Sequence, residues 1–107
     1  MSDTLRRVQD LVSSGELRIS DHGYDEFAAD GILARDVVAG VMTAVVVEDY
    51  PIAARGASVL VLQRDANGRP LHVLWGIAAG KTGPAVVVTA YRPDAERWTV
   101  DFLKRKP

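Results

Sequence analysis

Cysteine is absent from the chain, which excludes disulfides and thiolate metal ligands and leaves nothing that asks for an oxidising compartment. Long apolar runs are missing too. No stretch approaches the roughly eighteen residues of a membrane span, and the N-terminal MSDTLRR lacks the apolar core of a secretion signal. The expectation is a soluble cytoplasmic protein with no membrane partner. Histidine is scarce: His22 and His72 are the only two. With Asp21 and Asp49 they make no close-spaced ligand motif, so no metal is expected. Gly80-Lys81-Thr82 lacks the upstream glycine of a phosphate-binding loop, and no helical pattern follows it, which removes a nucleotide cofactor. Aromatics make up 7%, too few to single out base stacking.

Basic residues are scarce in the first half. Residues 1–53 hold four basic against ten acidic residues, a net −6, whereas residues 54–107 hold nine against four, a net +5. This split has two consequences: a positive field over one side, suited to an anion such as RNA, or mutual neutralisation of the halves. No repeat, low-complexity segment or linker occurs. A length of 107 residues and 48% apolar composition suit one domain with one core, over residues 1–107.

Three β-branched-rich runs dominate the chain, at residues 57–64, 70–77 and 85–92, each bounded by Gly, Pro, Asn or Asp. They read as an antiparallel meander. Asn67-Gly68 marks the first turn. A two-residue turn sets Gln63 opposite His72 and Arg64 opposite Leu71; a longer turn with a bulge at Gly68 shifts the register by one and exchanges faces. Either way, Gln63, Arg64, His72, Tyr91 and Arg92 gather at one end of the sheet.

Before the meander, residues 4–13 predict an amphipathic helix capped by Asp3 or Thr4, with Ser13-Ser14-Gly15 as its stop. Residues 16–20 read as extended. Ser20 or Asp21 caps a second helix with Tyr24, Phe27 and Ala28 on one face, ended by Asp30-Gly31. A third helix spans residues 32–42. A first strand, residues 44–47, breaks at Glu48-Asp49-Tyr50-Pro51. After the meander, residues 93–98 read as a helical turn or structured tail, with Trp98 and Phe102 folding back and Lys104-Arg105-Lys106 frayed. The expected fold is α+β: short N-terminal helices on one face of a four-stranded antiparallel sheet, the other face partly open.

The stretches SDHGYDEFAADGI, EDYP, NGRPLHV and TAYRPDAERW resemble a family of small bacterial proteins catalogued as a domain of unknown function, DUF4258. Its members look like relatives of the RelE and MqsR toxins, which share the barnase-colicin-RelE ribonuclease fold and work with a small antitoxin. The resemblance implies a single RelE/MqsR-like domain, an mRNA-interferase type of toxin that cleaves RNA without a metal. Its partners would be RNA and a small antitoxin protein. His22 matches the family's S-x-H, His72 the histidine of RPLHV, and Tyr91-Arg92 the closing YRP. The chain departs where many members carry two helix arginines: it has Glu26-Phe27-Ala28 and Ala29-Asp30 instead.

Metal-independent RNA cleavage needs a base, an acid and cations around the phosphate. The candidates are His22, His72, Tyr91 and Arg92 for catalysis and Arg55, Arg64 and Lys81 for RNA binding. His22 falls in a helix first turn, where the dipole favours neutral imidazole; it serves equally as a hydrogen-bonding tie. His72, in an apolar strand, also fits a buried, satisfied side chain. Tyr91 and Arg92 point to opposite faces of a regular strand, so only one reaches a given face. Trp75 and Trp98 read as core. The competing reading is a non-catalytic interaction or homodimerisation domain, motivated by the pI near 6.1, the missing arginines and an exposed sheet edge.

Overall fold

Capping side chains set the starts of the first two helices in the computed structural model, which describes residues 2–107. The Ser2 hydroxyl accepts the Leu5 N–H at 3.1 Å and starts α1 (Asp3–Ser13), one residue ahead of the expected caps Asp3 and Thr4. Leu5 and Val8 of α1 enter the core. β1 (Leu17–Ile19) follows. Ser20 then caps α2 (Asp21–Asp30), accepting the Gly23 N–H, and Gly31 closes that helix. Within α2 only Gly23 and Phe27 are buried. Tyr24 and Ala28, expected on the same face, are exposed, and Tyr24 meets the Phe27 ring edge-on at 6.3 Å. The third helix is shorter than its apolar pattern: α3 covers Ala34–Gly40, and residues 41–43 tighten into a 3₁₀ turn.

The sheet differs from expectation in strand number and direction. Five strands stand in the order β1-β5-β4-β3-β2, with β2 Val45–Tyr50, β3 Ser58–Arg64, β4 Pro70–Gly76 and β5 Ala85–Tyr91. The additional strand is β1, which runs parallel to β5 with Leu17 beside Ala85 and Ile19 beside Val87, so the sheet is mixed rather than antiparallel throughout. Glu48, Asp49 and Tyr50 continue β2 instead of breaking it, since a bulge between Val46 and Glu48 absorbs the irregularity. The β3–β4 turn takes the longer form: Asp65 N–H donates to the Arg69 carbonyl, Gly68 N–H to that of Asp65, and Gly68 adopts φ 78. Leu62 therefore faces His72, and Gln63 faces Leu71.

That register sorts the side chains. Val59, Val61, Leu71, Val73, Trp75 and Val87 pack with Leu5, Val8, Phe27, Val37 and Val41 under the helices. Burial of a Val, Leu or Phe side chain there contributes about 1.5–3 kcal/mol. Gln63 is the polar exception, satisfied by donating to the Val37 carbonyl at 2.8 Å and accepting the Trp75 indole N–H at 2.9 Å.

The opposite face carries three rows across the strands: Val45, Leu62, His72 and Tyr91; Glu48, Leu60, Leu74 and Thr89; Tyr50, Ser58, Gly76 and Val86. A bulge at Val88 separates the last two rows on β5. The face is less open than expected, because the C-terminal tail lies over one end of it. Trp98 packs edge-on against His72 with ring centroids 4.3 Å apart. Arg105, expected to be frayed, sits 4.8 Å over the Trp98 ring and binds Glu48 at 2.9 Å.

Candidate functional site

The tail and the end of β5 enclose a polar groove of about 370 Å³ lined by Tyr91, Arg92, Asp94, Arg97, Trp98 and Arg105. Three guanidinium groups line it, each beside a carboxylate, Arg92 with Asp65, Arg97 with Asp94 and Arg105 with Glu48, so an anion enters by competing with those carboxylates. Behind its wall lies His72, fully buried. Its Nε2 is 2.7 Å from the Phe102 carbonyl oxygen and its Nδ1 is 3.1 Å from the Tyr91 hydroxyl. A carbonyl oxygen only accepts, so Nε2 carries the proton and donates. In the neutral ring Nδ1 is then an acceptor, and the Tyr91 O–H donates to it. The result is a directed chain from the groove through Tyr91 to His72.

Burial pushes the His72 pKa down, against the opposing pull of the Phe102 carbonyl and the Glu48 carboxylate. The resting ring is therefore a neutral base. Burial also raises the Tyr91 pKa, which keeps its hydroxyl protonated. The Arg105 hydrogen bond holds the Glu48 carboxyl below its usual range, while burial and the neighbouring Glu48 raise the pKa of Tyr50. Glu48, Tyr50, His72, Tyr91 and Arg105 thus form one electrostatic cluster on the tail-covered face.

The other sequence candidates stand elsewhere. Arg92 follows Tyr91 and reaches the groove, but its Nη2 binds Asp65 at 3.1 Å. Its backbone N–H donates to Asp30 at 3.4 Å, and its buried Nε and Nη1 have no hydrogen-bond partner. His22 lies on the exposed side of α2, 3.6 Å from Glu26, and does not line the groove. Arg64 is exposed at the hairpin, its Nη1 3.5 Å from the Gly68 carbonyl. Arg55 and Lys81 are exposed at the opposite end of the sheet, a strand length of about 20 Å away. Arg55 lines a separate apolar groove of about 310 Å³ with Ser58, Leu74, Gly76, Val86 and Val88. The structure therefore gathers Tyr91, Arg92 and His72 and disperses the rest.

Sequence reasoning missed Glu48, Arg97 and Arg105. Period two from Val46 would set Glu48 on the core face, and only the bulge turns it to the tail-covered face, so no local signal marked it; Arg105 sits in a tail with no periodic pattern. Among the described residues no three His, Asp or Glu side chains gather closely enough to hold a metal ion, and no helix is long and apolar enough to cross a membrane.

A family model described as a domain of unknown function (DUF4258) matches residues 19–92. No curated protein matches the chain, and no solved structure matches it.

Proposed function

The chain belongs to the DUF4258 family, and from that premise we propose that it is a toxin-type endoribonuclease that cleaves RNA in the arginine-lined groove without a metal. The observation that carries this reading is Tyr91, a residue of the groove lining whose hydroxyl donates to a buried neutral histidine. Tyr91 accepts the proton of an RNA 2′-hydroxyl while its own passes to His72 Nδ1. The 2′-oxygen bonds to phosphorus, the bond to the 5′-oxygen breaks, and that oxygen takes a proton from water, whose hydroxide then recovers the proton held by His72 through Tyr91. A 2′,3′-cyclic phosphate and a 5′-hydroxyl result. Arg97 and Arg105 offset the charge that grows on the phosphate.

The test is cleavage of single-stranded RNA at low salt by the wild type and by folded Tyr91→Phe and His22→Ala variants. Tyr91→Phe is expected to lose about 100-fold or more in rate, the usual contribution of a positioned acid or base. His22→Ala, remote from the groove, keeps its rate. A folded wild type that cleaves no RNA, or a Tyr91→Phe variant as fast as wild type, ends the proposal.

A second reading, a protein-interaction or homodimerisation domain, is favoured by the outer position of β2, where Val45 is 50% and Tyr50 42% exposed. Sedimentation of the wild type beside Val45→Lys distinguishes it: an edge-paired dimer dissociates in the variant, whereas a monomer leaves both alike.

A further inference from the structure

The family match ends at residue 92, and beyond it the tail builds a small structure of its own. Thr99 N–H donates to the Lys104 carbonyl and Lys106 N–H to that of Arg97, each at 2.8 Å. Trp98 pairs with Arg105 as an antiparallel bridge, and Asp101 accepts from the Thr99 hydroxyl and the Leu103 N–H. These bonds stay within the tail. Among the described residues, only the Phe102 carbonyl with His72 and Arg105 with Glu48 link it to the body by hydrogen bonds. Phe102 holds φ 61 without being glycine, a strained backbone that needs its surroundings to persist. Besides these two ties the segment meets the body through Trp98, packed edge-on on His72, and it joins the chain at Pro93.

The tie between Arg105 and Glu48 also has a chemical meaning. Arg105 lines the groove, yet its guanidinium is engaged by a carboxylate of the protein itself, in an exposed pair of the weak kind. A phosphate group offers more charge and more acceptor oxygens than one carboxylate. We propose that residues 93–107 form a hinged flap held shut by Glu48, which occupies Arg105 as an internal anion, and that a phosphate-rich anion in the groove takes over Arg105 and opens the flap. Opening uncovers His72 and releases Glu48 on the sheet face. It also removes Arg105, a cation that opposes protonation of His72. The inference rests on the groove as an anion site and is independent of cleavage.

Inorganic tripolyphosphate is the probe. In the full-length wild type it is expected to speed amide hydrogen exchange over residues 98–106 and to expose Trp98 to acrylamide quenching, while fully buried Trp75 supplies an unchanging background. Glu48→Gln, checked for folding by circular dichroism, is expected to bind tripolyphosphate about two- to fivefold more tightly, the scale of one exposed ion pair. Unchanged or weaker binding by the folded variant overturns the flap, as does binding without a gain in exchange or quenching, or no binding by the wild type. Should Glu48→Gln not fold, the wild-type exchange experiment decides alone. Opening by tripolyphosphate with no RNA cleaved supports the flap and removes the ribonuclease; cleavage without opening does the reverse.

Discussion

His72 shows how one side chain changes meaning with its surroundings. Fully buried and doubly hydrogen-bonded, it folds as a neutral ring whose pKa lies below the ordinary 6.5. The unfolded chain binds a proton near that value, so it is the state that acid favours. Stability from this residue is complete above about pH 6.5 and is lost as pH falls toward the lower folded pKa, by at most about 1.4 kcal/mol per pH unit for one proton. Urea unfolding of the wild type and His72→Gln across this range is expected to show that slope in the wild type alone; equal slopes would remove the assignment. Loss from Glu48 and Asp65, whose pKa values are lowered from 4.5 and 3.8, begins only at more acidic pH. The sequence placed His72 in an apolar strand correctly. Its partners Phe102 and Trp98 lie about thirty residues away and follow from no local pattern.

At the scale of elements, two turns use glycine for different reasons. Gly68 has φ 78 with nothing within 4 Å of a Cβ placed on it, whereas Gly56 has φ 117 and its Cβ would stand 2.0 Å from the Ile77 carbonyl oxygen. Gly68→Ala is therefore expected to cost about 1–2 kcal/mol, the left-handed penalty alone. Gly56→Ala costs about 2–4 kcal/mol, because the β2–β3 loop must also back away from β4. Thermal or urea denaturation checks the order, and equal losses would contradict the close approach. Asn67-Gly68 announced the first turn in the sequence but did not fix its length. The bonds that decide it come from Asp65, whose carboxylate accepts the Asn67 and Arg69 N–H groups at 2.9 Å. Residues 16–20 read as extended, yet three residues of β propensity do not say which strand will take them. Ser20 does part of this in the fold: its N–H donates to Val87 and its hydroxyl to Val88.

For the whole molecule, the charge split between halves resolves into a localised field. Glu48 and Arg105 join the two halves by an ion pair, while the groove keeps Arg92, Arg97 and Arg105 together. If all three arginines meet phosphates of single-stranded RNA, the logarithm of affinity falls with that of salt concentration with a slope of about −2. Arg97→Ala, which removes the groove arginine beside Asp94, lowers that slope by about 0.7. Binding titrations at several salt concentrations read both numbers, and a salt-independent affinity would sever the field from RNA. Arg55 and Lys81, at the far end of the sheet, leave the slope unchanged unless the RNA spans the whole face.

Local pattern by itself determined the α+β class, the three helices, the meander and the inward place of Trp75, because periodicity and turn chemistry act over a few residues. The gathering of Tyr91 with Arg92 and His72 at one sheet end was legible for the same reason, once β4 and β5 were antiparallel. Only the tertiary structure decided the parallel seat of β1 beside β5, the register at Gly68 and the return of Arg105 to Glu48. Each of those is a choice among partners distant in sequence, made by which surfaces and charges are satisfied together, and no neighbouring residue carries that information.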